Sequence, residues 1–385
     1  MTLIADMELT ATDVERMRSR LSAVRAGLVE RGVEMLLISG DQDVRFIAGC
    51  FGHDTRVLVS GDQAILISDR RYEESLAPWQ ATGVFDVSIA NRPGQIEFIC
   101  STLAAANCKA LGIQAAHTTL AVRDSLASAF KGIELVPVSG LLAGLRMRKS
   151  PDEIASMQEA IRIQSEALHT TLEELRLGMT EGQVSARLIY EMRCRGAESE
   201  SFEPIVGSGA NASVIHHTPA GSPVGPGVLL IDWGARVDGI CSDLTRTFFL
   251  GDPDAEMQRM YTVVAAAHDA SIAACHVGAC TRDVDAASRN IIKDAGWGDE
   301  FPHGVGHGLG RDVHELPYMG GAGESTKLEA GMVVTIEPGI YLPGIGGVRI
   351  EDDILVTDEG PRILSEALDC SLEGAILPLP QGGTS

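Results

Sequence analysis

The sequence predicts an α+β protein built from a smaller α/β domain over residues 1–150 and a larger α+β domain over 151–385. Three observations predict it. In the first part, short apolar runs separated by Gly/Asp turns alternate with helical stretches. In the second, helices are grouped beside a run of mostly hairpin-connected strands. Between them, the basic stretch LRMRKSP runs into a helix start: Ser150 as N-cap, Pro151 at the first helical position and Glu153 at the third. A chain of 385 residues, at ~150 per domain, is long enough for two or three domains. Its 45% apolar and 22% charged residues are an ordinary globular composition.

Met17, Leu21, Val24, Leu28 and Val29 recur at helical spacing and predict a helix over 12–32, closed by Gly32. Runs at 35–39, 45–48, 56–60 and 64–68 read as strands. A helix at 94–107, a strand at 110–114, a helix at 119–130 and a strand at 134–138 complete the first domain. It holds no dense cluster of His and acids, so it reads as a structural or oligomerisation domain. In the second domain, helices are predicted at 151–177, 180–196, 254–277 and 281–295. Strands are predicted at 203–207, 227–234, 240–250, 332–337 and 347–356, with a Gly/His-rich loop at 302–321.

Lys and Arg number 31 and Asp and Glu 53, a net charge of −22. Such a chain is repelled by phosphate backbones, and its 9 Phe, 5 Tyr and 3 Trp offer little for base stacking. No nucleic-acid partner is expected. Residues 1–150 carry 17 acids and 16 bases, whereas 151–385 carry 36 and 15. The start of the chain lacks a basic-then-apolar signal, and no stretch of 18 apolar residues occurs. The eight cysteines form no C-x-x-C pair. A cytoplasmic protein with reduced thiols and no membrane partner is the expectation.

The acidic domain carries a series of charges set in apolar runs. VLLID ends in Asp232, and Asp243 follows 11 residues later across a predicted hairpin. Two carboxylates brought face to face repel unless a cation or proton stands between them. FPHGVGHGLG places His303 and His307 among four glycines, with His314 beyond. VVTIE ends in Glu337, and GVRIEDDIL has Glu351 at its centre. Four acids and one imidazole suit Mn²⁺, Co²⁺, Fe²⁺ or Zn²⁺ and disfavour a thiolate zinc site. Four negative charges balance two divalent ions, and water bridging such a pair loses its proton near neutral pH.

These residues, in the settings IDWGARVDGICSDLTRTF, HGVGHGLGRDVHELP, TIEPGIY and GVRIEDD, resemble the M24 metallopeptidases, which share the pita-bread fold. The preceding domain, with DRRYEESL and LRMRKSPDEI, is similar to the creatinase, prolidase and aminopeptidase P branch. The resemblance implies metal ligands at Asp232, Asp243, His307, Glu337 and Glu351, with Glu337 also accepting the nucleophilic water's proton. It implies that His314 polarises the carbonyl or stabilises the tetrahedral intermediate. It implies substrate binding by His216 in SGANASVIHHTP, although His217 stands beside it, and by His303. Arg349 is implied to support the site, paired to an acid such as Asp238.

The resemblance further implies hydrolysis of Xaa-Pro bonds in dipeptides or short peptides by a metal-bridging hydroxide, with two divalent ions per chain and a homodimeric assembly. Mn²⁺ or Co²⁺ leads, with Zn²⁺ or Fe²⁺ also fitting. A metal-dependent hydrolase or lyase of another small molecule, or a non-enzymatic binding module, stays open on the same scaffold. The basic residue that would read a dipeptide's free carboxylate is left between Arg311 and Arg349.

Overall fold

The computed structural model describes residues 9–50, 54–320 and 325–379. The chain divides after Arg146 into two compact units.

The first unit is a six-stranded sheet. Its strands lie in the order Asp86–Ile89, Ala64–Ser68, Arg56–Ser60, Met35–Ile38, Ala110–Gln114 and Glu134–Val138. Strand periodicity splits its apolar residues between two cores. Leu36 and Ile38 join the core that includes Met17, Leu21 and Val24, whereas Met35 and Leu37 join the one that includes Ile99 and Leu126. Helix Ala11–Glu30 begins with a capping box in which Thr10 and Asp13 bond each other's backbone. Gly32 follows with φ +62°, where a side chain would be strained.

The run 45–48 is not a strand. It is the end of helix Asp41–Ala48, which Gly49 closes in the left-handed region. Four apolar residues are too few to show a period, and here Val44, Phe46, Ile47 and Ala48 all turn inward. Helices Glu73–Ala81 and Leu141–Arg146 and strand Asp86–Ile89 were not predicted.

In the second unit, Pro151–Glu173 and Glu181–Cys194 both start with capping boxes, from Ser150/Glu153 and Thr180/Gln183. The main strands are Gly227–Trp233 and Leu244–Leu250, paired antiparallel, with Ile205–Ser208 beside the first. A five-stranded sheet runs Glu315–Met319, Gly306–Gly308, Val333–Ile336, Asp352–Thr357 and Gly360–Ile363. Helices Ala255–Ala274 and Thr281–Asp294 share a core with Val228, Leu230, Val334 and Ile354. Leu229, Ile231, Val333 and Leu355 face a second core, with Met157, Val184 and Leu188. Strands covered on both faces read as near-continuous apolar runs, so a carboxylate inside one stands out.

The structure corrects three boundaries in this unit. The 302–321 segment is partly sheet: Gly306–Gly308 pairs with both Glu315–Met319 and Val333–Ile336. A side chain at Gly306 would strike the Thr335 carbonyl, and one at Gly308 the Leu316 carbonyl. The 347–356 run is two strands in different sheets. Gly346–Arg349 forms a hairpin with Gly339–Leu342, and Glu351 stands where the chain changes sheet rather than mid-strand. The 240–250 run likewise breaks between Ile240–Cys241 and Leu244–Leu250, at Asp243. Among the described residues, no helix is long and apolar enough to cross a membrane. All eight cysteines are free thiols.

In the first unit, the Asp43 carboxylate is buried and accepts from Gln114 Nε2 at 2.6 Å and Arg146 Nη1 at 2.9 Å. Burial pushes its pKa up, but His117, Arg146 and Gln114 together hold it below the usual carboxylate value. Its stabilisation is therefore present at neutral pH and fades as pH falls through the lowered value. Asp43→Asn should cost about 3 kcal/mol at pH 7 and flatten the acid limb of stability. Urea midpoints measured from pH 7 down to pH 3 check both.

Candidate metal centre

All nine residues singled out in the sequence line one cavity of about 790 Å³ in the second unit. The fold brings them there from within strands and from the breaks between them. Asp232 lies near the end of Gly227–Trp233, opposite Thr245 on the neighbouring strand. Asp243 precedes that neighbour, and Glu351 bridges to Thr245 from the change of sheet. Glu337 directly follows Val333–Ile336, and His307 is central in Gly306–Gly308.

One donor atom each from Asp243, His307 and Glu351 lies within 4.8 Å of the others. His307 Nδ1 is 3.1 Å from the Gly308 carbonyl, so it carries the proton. Nε2 is then a bare lone pair, 3.5 Å from Glu337 Oε1 and 3.7 Å from Asp243 Oδ2. Lone pairs face lone pairs, which is favourable only with something positive between them. Thr335 Oγ1 accepts the His307 amide at 3.0 Å, and Thr245 Oγ1 donates to Glu351 Oε2 at 2.6 Å. Asp353 Oδ2 accepts the Asp243 amide at 3.2 Å. Asp232 Oδ2 accepts from Arg349 Nη2 at 2.5 Å, while its buried Oδ1 has no partner.

The charges respond to this crowding. Burial, then Glu351 and Asp232, raise Asp243 well above the ordinary value. Burial, then Glu337 and Asp232, do the same to Glu351. Burial pushes Glu337 up to about 8 against the pull of Arg349. Asp232 is raised by burial, with Arg349 opposing. Burial and the neighbouring His314 press His307 down to about 3, so the imidazole is neutral. Oxygen-rich donors, one bare imidazole nitrogen and an orphaned carboxylate oxygen fit divalent cations.

The other residues surround this cluster. The His314 ring stands edge-on to His307, with centroids 4.2 Å apart. His303 Nδ1 is bonded to the Gly304 carbonyl at 2.8 Å, and its Nε2 meets the Tyr341 hydroxyl at 3.0 Å. His216 is exposed on the cavity wall. His217 turns instead to Glu181, Nε2 to Oε2 at 2.8 Å. Arg349 does not pair with Asp238, which instead accepts from Ser156 at 3.1 Å. Thr247 Oγ1 bonds both backbone groups of Arg349, which sets the arginine beside Leu244–Leu250 and within reach of Asp232.

Sequence reasoning missed Tyr341, Thr245, Asp353 and Glu181. Tyr341, in TIEPGIY, joins His303 to Arg349, whose Nη1 donates to its hydroxyl at 3.0 Å. Glu181 gave no signal: an acid in a helix's first turn is ordinary. Yet it is fully buried, and its carboxylate accepts from the Ser208 amide at 2.8 Å and Asn211 Nδ2 at 2.9 Å.

An acid cluster around a bare imidazole on a cavity wall offers the donors of a divalent-metal site. The comparisons agree. Residues 155–358 match metallopeptidase family M24, and 20–148 match the creatinase/prolidase N-terminal domain. A Bacillus subtilis protein named uncharacterized peptidase YqhT is 36% identical over 90% of this chain and 98% of its own. A Xaa-Pro dipeptidase from Bacillus anthracis superposes with a TM-score of 0.88 at 33% identity, covering 94% of this chain and 100% of that one. An X-Pro aminopeptidase from Thermotoga maritima gives 0.83 at 29%, covering 93% and 99%. The chain belongs to metallopeptidase family M24 and has its pita-bread fold.

Glu181→Ala leaves three donors without their buried acceptor and should cost about 3 kcal/mol. Glu181→Gln, which keeps an acceptor oxygen, should recover part of it. Urea unfolding with hydrogen exchange over residues 205–217 reads both effects.

Proposed function

We propose that this peptidase hydrolyses the bond between an N-terminal residue and a second-position proline in short peptides, using two divalent ions. The observation that carries the reading is the gathering of four carboxylates and the bare His307 nitrogen on the wall of one cavity. Structures similar to this one include a Xaa-Pro dipeptidase and an X-Pro aminopeptidase. Asp232, Asp243, His307, Glu337 and Glu351 would hold the ions, with Mn²⁺ or Co²⁺ leading and Zn²⁺ or Fe²⁺ also matching the donors. When bound, such ions supply an activated water and polarise the scissile carbonyl.

The chain's own groups do the rest. Glu337 takes the water's proton and passes it to the proline nitrogen. His314, edge-on to His307, faces the carbonyl oxygen as negative charge develops there. His216 and His303 hold the substrate at the wall. Arg349 orients Asp232 and favours its charged form, and through Tyr341 it fixes His303. Proline's ring locks φ, which gives such a pocket a shape to select.

A panel of Xaa-Pro and Xaa-Ala peptides should show cleavage confined to the proline series. Asp243→Ala and Glu337→Ala should each lose ~100-fold or more of kcat/KM while keeping the wild-type circular dichroism. Elemental analysis should find two ions per wild-type chain and fewer in Asp243→Ala. Because Glu337, Asp243 and Glu351 are raised, metal uptake near pH 7 should release protons. Calorimetry in two buffers of different ionisation heat measures that release. Metal-loaded protein inactive on every Xaa-Pro peptide would overturn the proposal.

A further inference from the structure

A peptide can end at its proline or continue past it, and the two cases differ by one charge near the scissile bond. We propose that this enzyme prefers Xaa-Pro peptides of three or more residues, whose proline carries an amide, over free Xaa-Pro dipeptides. The inference rests on the Xaa-Pro reading above and concerns the same cavity.

In a dipeptide, the free carboxylate belongs to the residue next to the scissile carbonyl, with ~3.8 Å between consecutive Cα atoms. It must therefore enter the cavity with the bond that is cut. A carboxylate taken out of water needs a cation or several donors aimed at it. Arg349 is the only Lys or Arg lining the cavity among the described residues. Each of its three nitrogens already donates: Nη2 to Asp232 at 2.5 Å, Nη1 to Tyr341 at 3.0 Å and Nε to Thr245 at 3.0 Å. Drawing it to a substrate would strip Asp232 of its counter-charge.

Arg311 and Lys149 do not line the cavity and are paired with acids. Arg311 is buried with its Nη2 on Glu153 at 2.9 Å, and Lys149 Nζ bonds Glu315 at 2.7 Å. His303 has both ring nitrogens bonded. The four residues after Gly320, outside the described set, are Gly-Ala-Gly-Glu and contain no base.

The rest of the wall suits a continuing chain. Phe202, Ile215 and Val313 line it with apolar surface. Tyr318 sits directly opposite His307 in the antiparallel ladder, so the two side chains stand on the same face. It is 56% exposed, an aromatic ring uncovered at the cavity. These four side chains offer contact area and one phenol hydroxyl but no fixed positive charge, and His216 and His314 add imidazoles to the same wall. A proline followed by an amide brings no charge to them.

The test uses the full chain loaded with Mn²⁺ or Co²⁺ and three substrates: Ala-Pro, Ala-Pro-amide and Ala-Pro-Ala. The same bond breaks in each: water's hydroxyl joins the alanine carbonyl carbon, and its proton goes to the proline nitrogen. The amide and the tripeptide should both exceed the dipeptide by ~10-fold or more in kcat/KM. A dipeptide cleaved as well as both overturns the inference and leaves the Xaa-Pro reading standing. A tripeptide advantage with the amide no better than the free acid also overturns it, since charge would then not be the cause. Cleavage of none of the three by metal-loaded protein overturns both.

Discussion

Mutual repulsion among buried carboxylates is the constraint on which the catalytic unit depends. The buried Asp232, Asp243 and Glu351 and the partly buried Glu337 converge on the neutral His307. Such a cluster is tolerable only with positive charge or protons inside it. The surrounding structure supplies part of the compensation from groups that do not move. Thr245 and Thr335 bond Glu351 and His307, and Arg349 holds Asp232 from the second strand of a hairpin. The remainder is what divalent ions would provide.

Two adjacent acids show how position decides charge. Asp352 and Asp353 are both buried on one strand, where successive side chains point to opposite faces. Asp353 turns to the Asp243 amide, and burial raises its pKa well above the ordinary value. Asp352 meets Arg246 Nη2 at 2.7 Å, with His268 Nε2 3.2 Å away, and these hold it far below despite its burial. Arg246 also donates to the Glu351 carbonyl at 2.5 Å. A second buried ion pair thus anchors the stretch of backbone that carries Glu351.

The breaks in the sheets are where chemistry is possible. A regular strand buried on both faces has no room for water or substrate. Asp243 and Glu351 sit where the chain leaves one strand for the next. At those points side chains escape the pleat and aim into a shared cavity. Gly306 and Gly308 let His307 approach between two backbones that a side chain would strike.

Much of this was legible in the sequence because burial punishes charge. An Asp or Glu at the end of an apolar run declares itself, as Asp232 and Glu337 do, whereas His216, His303, His314 and Arg349 were singled out by the family resemblance. The helix start at Ser150 was readable, since capping is local chemistry. What only the tertiary structure decided were contacts between distant segments. Arg349 reaches Asp232 rather than Asp238 because Thr247 fixes its backbone. His216, not His217, lines the cavity because a buried Glu181 claims its neighbour. Arg311 is withheld from the cavity by Glu153, 158 residues away in sequence. Local patterns announce that a charge must be matched. Which partner matches it depends on distances across the fold, which no local pattern contains.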